Sequence, residues 1–291
     1  MIYGAKLTIS YLLGTDIAGR RIAVFPDDTF IVSYPRSGNT WVRFLVANLL
    51  HPTKTVSFAN IEKFVPDCEA KSSRYLRKVP RPRIIKSHEY FDHRYPKVLY
   101  IVRDPRDVVL SYYDFERKYR HIDDAYPLPK YVSDFVAGRL SSRGWGTWGE
   151  NAGSWISSRM RQDTFLLLRY EDMKEDASGA VQKIAKLFNI QAEEERIKMV
   201  LERSSAQRMR QLEERESEQW VSTRGKRADI PFIRSAVTGG WRSKLSANSI
   251  AEIEDAWGPL MKSLDYELVS HRAKTNASHR GSEYQLVTTR G

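Results

Sequence analysis

Arginine, serine, asparagine and threonine occur together in the stretch YPRSGNTW, residues 34–41, between two apolar segments. Arg36 can form two parallel hydrogen bonds with an oxyanion, and Ser37, Asn39 and Thr40 supply further donors. Gly38 lets the backbone turn tightly without a Cβ clash. The start of a helix at such a turn presents unpaired N–H groups and a partial positive charge. The stretch therefore predicts an anion site, with an ordinary capped helix start as the alternative.

Two further groups follow apolar segments directly, namely Lys86-Ser87-His88 and Arg103-Asp104. Imidazole is the side chain whose pKa suits removal of a proton from a hydroxyl near neutral pH. A neighbouring lysine can balance negative charge that develops in a reaction. His88 is thus a candidate general base, although a lone histidine can equally be structural, and Lys86 is a candidate charge-stabilising residue.

The elements that must position these groups alternate between strands and helices. The patterns predict strands at 29–34, 83–86, 97–102 and 164–169, and helices at 40–50, 105–118, 178–188, 193–211 and 248–263. Such alternation predicts an α/β domain with a central parallel β-sheet flanked by helices. Ligands of such sheets bind beyond the carboxyl ends of the strands, where all three candidate groups lie.

Residues 29–270 are predicted to form this single domain, after an N-terminal extension at 1–28 and before a polar, disordered tail at 271–291. The segment 121–153 is rich in Gly, Pro, Ser and Trp and is predicted to be irregular, as a lid or an acceptor loop. Its aromatic residues, with Trp155 just beyond it, could stack on a ring of the acceptor or belong to the core: Tyr126, Trp145, Trp148 and Trp155.

Composition limits the partners of the chain. A formal net charge of +11 and a pI of about 9.6 indicate an anionic partner or a solvated basic surface. Cys68 is the one cysteine, so the sequence predicts neither an internal disulfide nor a cysteine-rich metal site. We see no signal peptide and no apolar run of the roughly 20 residues that a membrane helix needs, which predicts a cytoplasmic protein without a membrane span.

The order of the motifs resembles that of the sulfotransferases that use 3′-phosphoadenosine-5′-phosphosulfate (PAPS). Those enzymes share the patterns Y-P-[KR]-S-G-x-T-W, K-[ST]-H, R-[DN]-x-[KR]-D-x-x-x-S-Y-Y and R-x-x-x-x-G-x-W. Here they read YPRSGNTW at 34–41, KSH at 86–88, RDPRDVVLSYY at 103–113 and RSAVTGGW at 234–241, and LLRYEDMKED at 167–176 is also similar. The resemblance covers roughly residues 30–264, and four weak patterns in the same order are together specific.

The resemblance implies a P-loop-kinase-like sulfotransferase fold and transfer of a sulfuryl group from PAPS to a hydroxyl or amine. Adenosine 3′,5′-bisphosphate (PAP) is released, and no metal takes part. It implies that His88 is the catalytic base and that Lys86 and Arg36 stabilise charge. It also implies a donor site formed by Arg36, Ser37, Gly38, Asn39, Thr40 and Trp41 for the phosphosulfate and adenine, by Tyr170 and Ser205 for the adenosine, and by Arg103, Ser111, Arg234, Ser235 and Ala236 for the 3′-phosphate.

Three parts of the chain depart from the family pattern. Arg36 stands where many members have lysine, and an arginine is too basic to donate a proton, so we expect it to act by bidentate charge stabilisation. Ser235-Ala236 replaces Lys-Gly, and we expect the grip on the 3′-phosphate either to be weaker or to be supplemented by Arg242 or Arg227. Residues 204–206 read SSA where the family often has Thr-Ser-Phe.

Two other functions stay open. A nucleotide kinase-like phosphotransferase needs a lysine in the phosphate loop, and residues 35–40 contain none. A non-enzymatic polyanion-binding protein would use the net charge of +11 and would bind with a steep salt dependence. The ordered motifs favour the sulfotransferase. Its acceptor is expected to be a small molecule, a sugar or a lipid; no nucleic acid partner is predicted, and the sequence does not indicate an oligomeric state.

Overall fold

The computed structural model describes residues 16–140, 144–233 and 237–270. Four parallel strands form one sheet in the order β2–β1–β3–β4. The strands are β1 (Thr29–Ser33), β2 (Ile84–Ser87), β3 (Lys97–Val102) and β4 (Phe165–Arg169). The predicted central parallel sheet is confirmed, and each strand lies within a residue of its predicted bounds.

Helices connect most of these strands and follow the last one. They are α1 (Asn39–Leu50), α2 (Ile61–Phe64), α3 (Ser73–Arg77), α4 (Pro105–Lys118), α5 (Leu128–Val136), α6 (Trp148–Arg159), α7 (Tyr170–Glu175), α8 (Ala177–Leu187), α9 (Glu194–Arg203), α10 (Ala206–Glu216), α11 (Trp241–Lys244) and α12 (Ala247–Ser263). None of the helices in the described ranges combines the length and the apolar character needed to cross a bilayer.

The helices cover both faces of the sheet because its central strands are buried on both sides. Successive strand residues point to opposite faces. Phe30 and Val32 of β1 pack into a core with α4, α5, α6 and α12, whereas Ile31 packs into a second core with α1, α8, α9 and α10. Because all four strands are parallel, their carboxyl ends lie at one edge of the sheet, and the candidate motifs follow β1, β2 and β3 there.

The prediction of an irregular segment at 121–153 is wrong for much of its described part, which contains α5 and the first half of α6. A capping box, Thr147 with Glu150, begins α6, and the T-x-x-E pattern that forms it is visible in the sequence. Trp148 and Trp155 are fully buried, and their indole N–H groups donate to the carbonyls of Arg103 and Glu89. These two aromatic residues therefore belong to the core.

The single helix predicted at 193–211 is two helices, α9 and α10. Ser205 has an extended backbone between them, and its Oγ accepts a hydrogen bond of 3.2 Å from the backbone N–H of Arg208. A serine that caps a new helix competes with continuation of the old one. The tail at 271–291 and the first half of the predicted N-terminal extension lie outside the described residues, while Ala18 and Ile22 of that extension are buried in the core.

Candidate active site

A cavity of about 760 Å³ lies at the carboxyl edge of the sheet. It brings together most of the residues that the sequence singled out: Arg36, Gly38, Asn39, Thr40, Trp41, Lys86, His88, Arg103, Ser111, Tyr170 and Ser205. Ser37 is buried and does not line it. Arg234, Ser235 and Ala236 lie outside the described residues.

The loop between β1 and α1 turns at Gly38, as the sequence predicts. Gly38 is the N-cap residue of α1 with a φ of 99°, and a Cβ there would lie 2.6 Å from the ring of Tyr170. No side chain caps this helix start, so its first backbone N–H groups are suited to an anion. Ser37 Oγ is buried and has no hydrogen-bond partner among the described residues. Asn39 Nδ2 instead donates to Ile31 O and Ser33 Oγ, which ties the loop to β1.

Arg36 reaches from this loop toward α4. Its Nε donates to Ser111 Oγ at 3.2 Å, and Nη2 donates to the carbonyl of Phe232 at 3.1 Å. The guanidinium carbon lies 4.4 Å from the ring centroid of Phe232 and 5.1 Å from that of Phe115. A planar guanidinium suits a position beside aromatic rings better than an ammonium does. Arg36 thus contacts the hydroxyl that was predicted to hold the 3′-phosphate.

Arg103 lies beside this contact and is nearly fully buried. Its Nη1 donates to the carbonyl of Arg36 at 3.4 Å and its Nη2 to that of Val237 at 3.1 Å. Its Nε has no hydrogen-bond partner among the residues described, so a buried donor is available for an anion. Arg36, Arg103 and Ser111 therefore form a contiguous cluster, and two of the three, Arg103 and Ser111, belong to the predicted clamp.

The two arginines expected to supplement the clamp are engaged elsewhere. Arg242 lies over the ring of Trp241 at 4.3 Å, and Arg227 forms ion pairs with Asp124 and Asp229. Neither lines the cavity. Arg36, rather than either of these two arginines, contacts Ser111.

Two aromatic rings border the predicted adenine position. The ring centroids of Trp41 and Tyr170 are 5.8 Å apart, with an angle of 74° between the rings. The Arg103 guanidinium lies 4.4 Å from the Tyr170 centroid, so this ring links the clamp to the loop at Gly38. Ser205 lines the same cavity at the start of α10.

His88 lies at the end of β2 with its tautomer set by a backbone contact. Its Nδ1 is 2.7 Å from the carbonyl oxygen of Ser33. Because a carbonyl can only accept, Nδ1 carries the proton and Nε2 carries the lone pair. Burial and the charge of Lys86 hold the pKa of His88 well below its usual value. The imidazole is therefore neutral at physiological pH, which is the state that a general base requires.

Lys86 has two acidic partners that the sequence analysis missed. Its Nζ lies 2.6 Å from Glu69 Oε2 and 3.0 Å from Asp67 Oδ2. Burial lowers the pKa of Lys86, but the two carboxylates outweigh burial and raise it. A parallel bridge between Asp67 and Lys86 brings the segments together. The sequence signal was the pair of acids in the otherwise apolar stretch VPDCEA, residues 65–70.

A family model described as a sulfotransferase domain matches residues 26–265. The chain belongs to the sulfotransferase family. This confirms the family predicted from the ordered motifs.

Curated relatives of this sulfotransferase extend over most of its length. It is 25% identical to sulfotransferase 1B1 of Mus musculus over 290 residues, which cover 92% of this chain and 93% of the relative. It is 29% identical to the 3-beta-hydroxysteroid sulfotransferase of Cavia porcellus over 248 residues, or 80% and 83% of the two chains.

Solved structures share the fold of this sulfotransferase. A mouse sulfotransferase complexed with PAP superimposes with a TM-score of 0.68 at 19% identity, over 94% of this chain and 95% of the other. Retinol dehydratase in complex with androsterone and PAP has a TM-score of 0.67 at 20% identity, over 89% and 87% of the two chains.

Proposed function

We propose that this sulfotransferase moves the sulfuryl group of PAPS to a hydroxyl or amine of a small acceptor, with His88 as the general base. The observation that carries the proposal is the position of His88 and its hydrogen bond to Ser33. Its Nδ1–H is held by Ser33, its imidazole is neutral, and it shares one cavity with the anion loop and the arginine cluster. Nε2 is therefore ready to accept a proton beside a site built for phosphate groups.

The residues of the cavity fit the charged and aromatic groups of PAPS. The uncapped start of α1 suits the 5′-phosphosulfate. Arg103, with its unpartnered Nε, and Ser111 suit the 3′-phosphate. The Trp41 and Tyr170 rings suit the adenine. Similar proteins of the same fold were solved with PAP, which supports this assignment of the donor.

His88 and the Ser33 carbonyl are the groups of the chain that accept and stabilise the acceptor proton. The acceptor O–H or N–H donates to Nε2 of His88, which takes the proton as the acceptor atom bonds to sulfur. The Ser33 carbonyl then stabilises the imidazolium through Nδ1–H. PAPS supplies the sulfuryl group, and the electron pair of the broken S–O bond leaves with PAP. The protein's remaining contribution is to orient the groups and to offset their negative charge with Arg103 and the loop.

Thermal stability distinguishes this donor site from a generic nucleotide site. We expect PAP to raise the melting temperature far more than adenosine 5′-monophosphate does, because the two differ in the 3′-phosphate that Arg103 and Ser111 would contact. Ligand at 100 times its Kd stabilises the folded state by about 2.7 kcal/mol. Equal shifts with both nucleotides, or none with either, would remove the proposed donor site.

A further inference from the structure

One carboxylate contacts all three residues of the Lys86-Ser87-His88 motif. Glu69 Oε2 accepts from Lys86 Nζ at 2.6 Å. Glu69 Oε1 accepts from Ser87 Oγ at 3.3 Å and also from the backbone N–H of His88. Glu69 is buried and lines the same cavity as Lys86 and His88. Side chains from two separate segments are thus joined at the point where β2 ends.

Around Glu69, acidic groups outnumber the ammonium group with which they can pair. Its own segment contributes Asp67 and the Cys68 thiol, and β2 contributes Lys86. The charge of Arg43 on α1 helps to lower the pKa of Asp67. Arg43 itself donates a hydrogen bond to Glu62. The phenol of Tyr95 is hydrogen-bonded to Ser87. Two acids therefore compete for one buried ammonium.

Burial, together with this competition, sets the pKa of Glu69. Burial raises its pKa to about 7, the charge of Asp67 adds to the rise, and Lys86 opposes it. The pKa of His88 lies distinctly below its usual value, because burial and Lys86 favour the neutral imidazole. The two groups are therefore separated on the pH axis.

We propose that ionised Glu69 is the positioning residue of the catalytic motif, holding the Lys86 ammonium and the His88 backbone in the arrangement that transfer needs. The inference rests on the proposed function, since it assigns Glu69 a role through His88 and Lys86. Protonation of Glu69 removes the charge from its bond with Lys86 and weakens it. The motif then loses its fixed arrangement while the donor site, which is built from other residues, is unaffected.

The test compares Glu69→Gln with Glu89→Gln. Glu89 is a matched control because it is a neighbouring buried acid whose pKa is also raised by burial, and its carboxylate pairs with Arg20 rather than Lys86. For Glu69→Gln we expect kcat to fall by roughly 10- to 100-fold, the effect of a small misplacement of reacting groups. We expect KM for PAPS and the Kd of PAP to change by less than about threefold. Glu89→Gln should change kcat far less.

The pH profile supplies a readout that a purely structural role would not move. In the wild type, kcat should rise as the pH passes through about 7, where Glu69 ionises, and the rise should be absent in Glu69→Gln. If Glu69→Gln does not fold, Glu69→Asp decides, because it keeps the charge but shortens the reach. It should lower kcat without weakening PAP binding.

A Glu69→Gln enzyme with wild-type kcat and an unchanged rise near pH 7 would overturn the inference, as would equal losses in the two glutamine variants. Failure of the proposed function looks different, since the wild type itself would then show no transfer to any acceptor.

Discussion

Replacing His88 by asparagine lowers kcat by roughly 100- to 10,000-fold, the range typical for loss of a general base. Asparagine can keep a donor toward the Ser33 carbonyl, which His88 Nδ1 contacts at 2.7 Å, but it has no nitrogen that can take a proton. The change thus removes the chemistry of Nε2 and preserves the local contact. Initial rates at saturating PAPS measure the effect.

The control for this variant is the binding of PAP at the donor site. Arg103 and Ser111 lie at the end of β3 and in α4 and not in β2, so PAP should stabilise His88→Asn as much as it stabilises the wild type. A kcat within tenfold of the wild-type value, with PAP binding intact, would show that another group takes the acceptor proton.

Arg36→Ala weakens the binding of adenosine 3′-monophosphate more than that of adenosine 5′-monophosphate. The sequence predicted that Arg36 contacts the 5′-phosphosulfate. In the structure its Nε donates to Ser111, which lies on the 3′-phosphate side of the proposed site. A hydrogen bond to a charged group contributes about 1.5–3 kcal/mol, so affinity for the 3′-nucleotide should fall roughly 10- to 100-fold. Calorimetric titration of both nucleotides measures the difference.

Two further variants serve as a positive and a negative control for this result. Arg103→Ala should show the same selectivity for the 3′-nucleotide, since its buried Nε is available for the same phosphate. Arg242→Ala should affect neither nucleotide, because Arg242 lies over Trp241 outside the cavity. A larger loss with the 5′-nucleotide in Arg36→Ala would return Arg36 to the leaving phosphate.

The parts of the fold with strong local signals could be predicted closely. The bounds of β3 and α4 match to the residue, because an apolar run ends at Asp104-Pro105 and the Asp104 side chain caps the helix. The loop at Gly38 followed equally from local sequence, since a glycine between a strand and a helix is typical of a backbone turn with positive φ.

Contacts between distant segments could not be predicted in the same way. Nothing local links Glu69 to Lys86, which are 17 residues apart in sequence and meet through tertiary structure. The contact of Arg36 with Ser111 on α4 likewise depends on tertiary packing. Tertiary packing also decides that Trp148 and Trp155 are buried in the core and do not line the cavity. The break between α9 and α10 at Ser205 was missed because serine is tolerated inside a helix as well as at its start.

The most direct test of the central claim is the transfer of radiolabelled sulfur from PAPS to an acceptor. A panel of phenols, hydroxysteroids, alcohols and amines is incubated with labelled PAPS and either the wild type or His88→Asn. The proposed function predicts a labelled acceptor and an equal amount of PAP with the wild type, and almost none with His88→Asn. Wild-type protein that binds PAP but labels no class of acceptor, or equal labelling by both proteins, would contradict it.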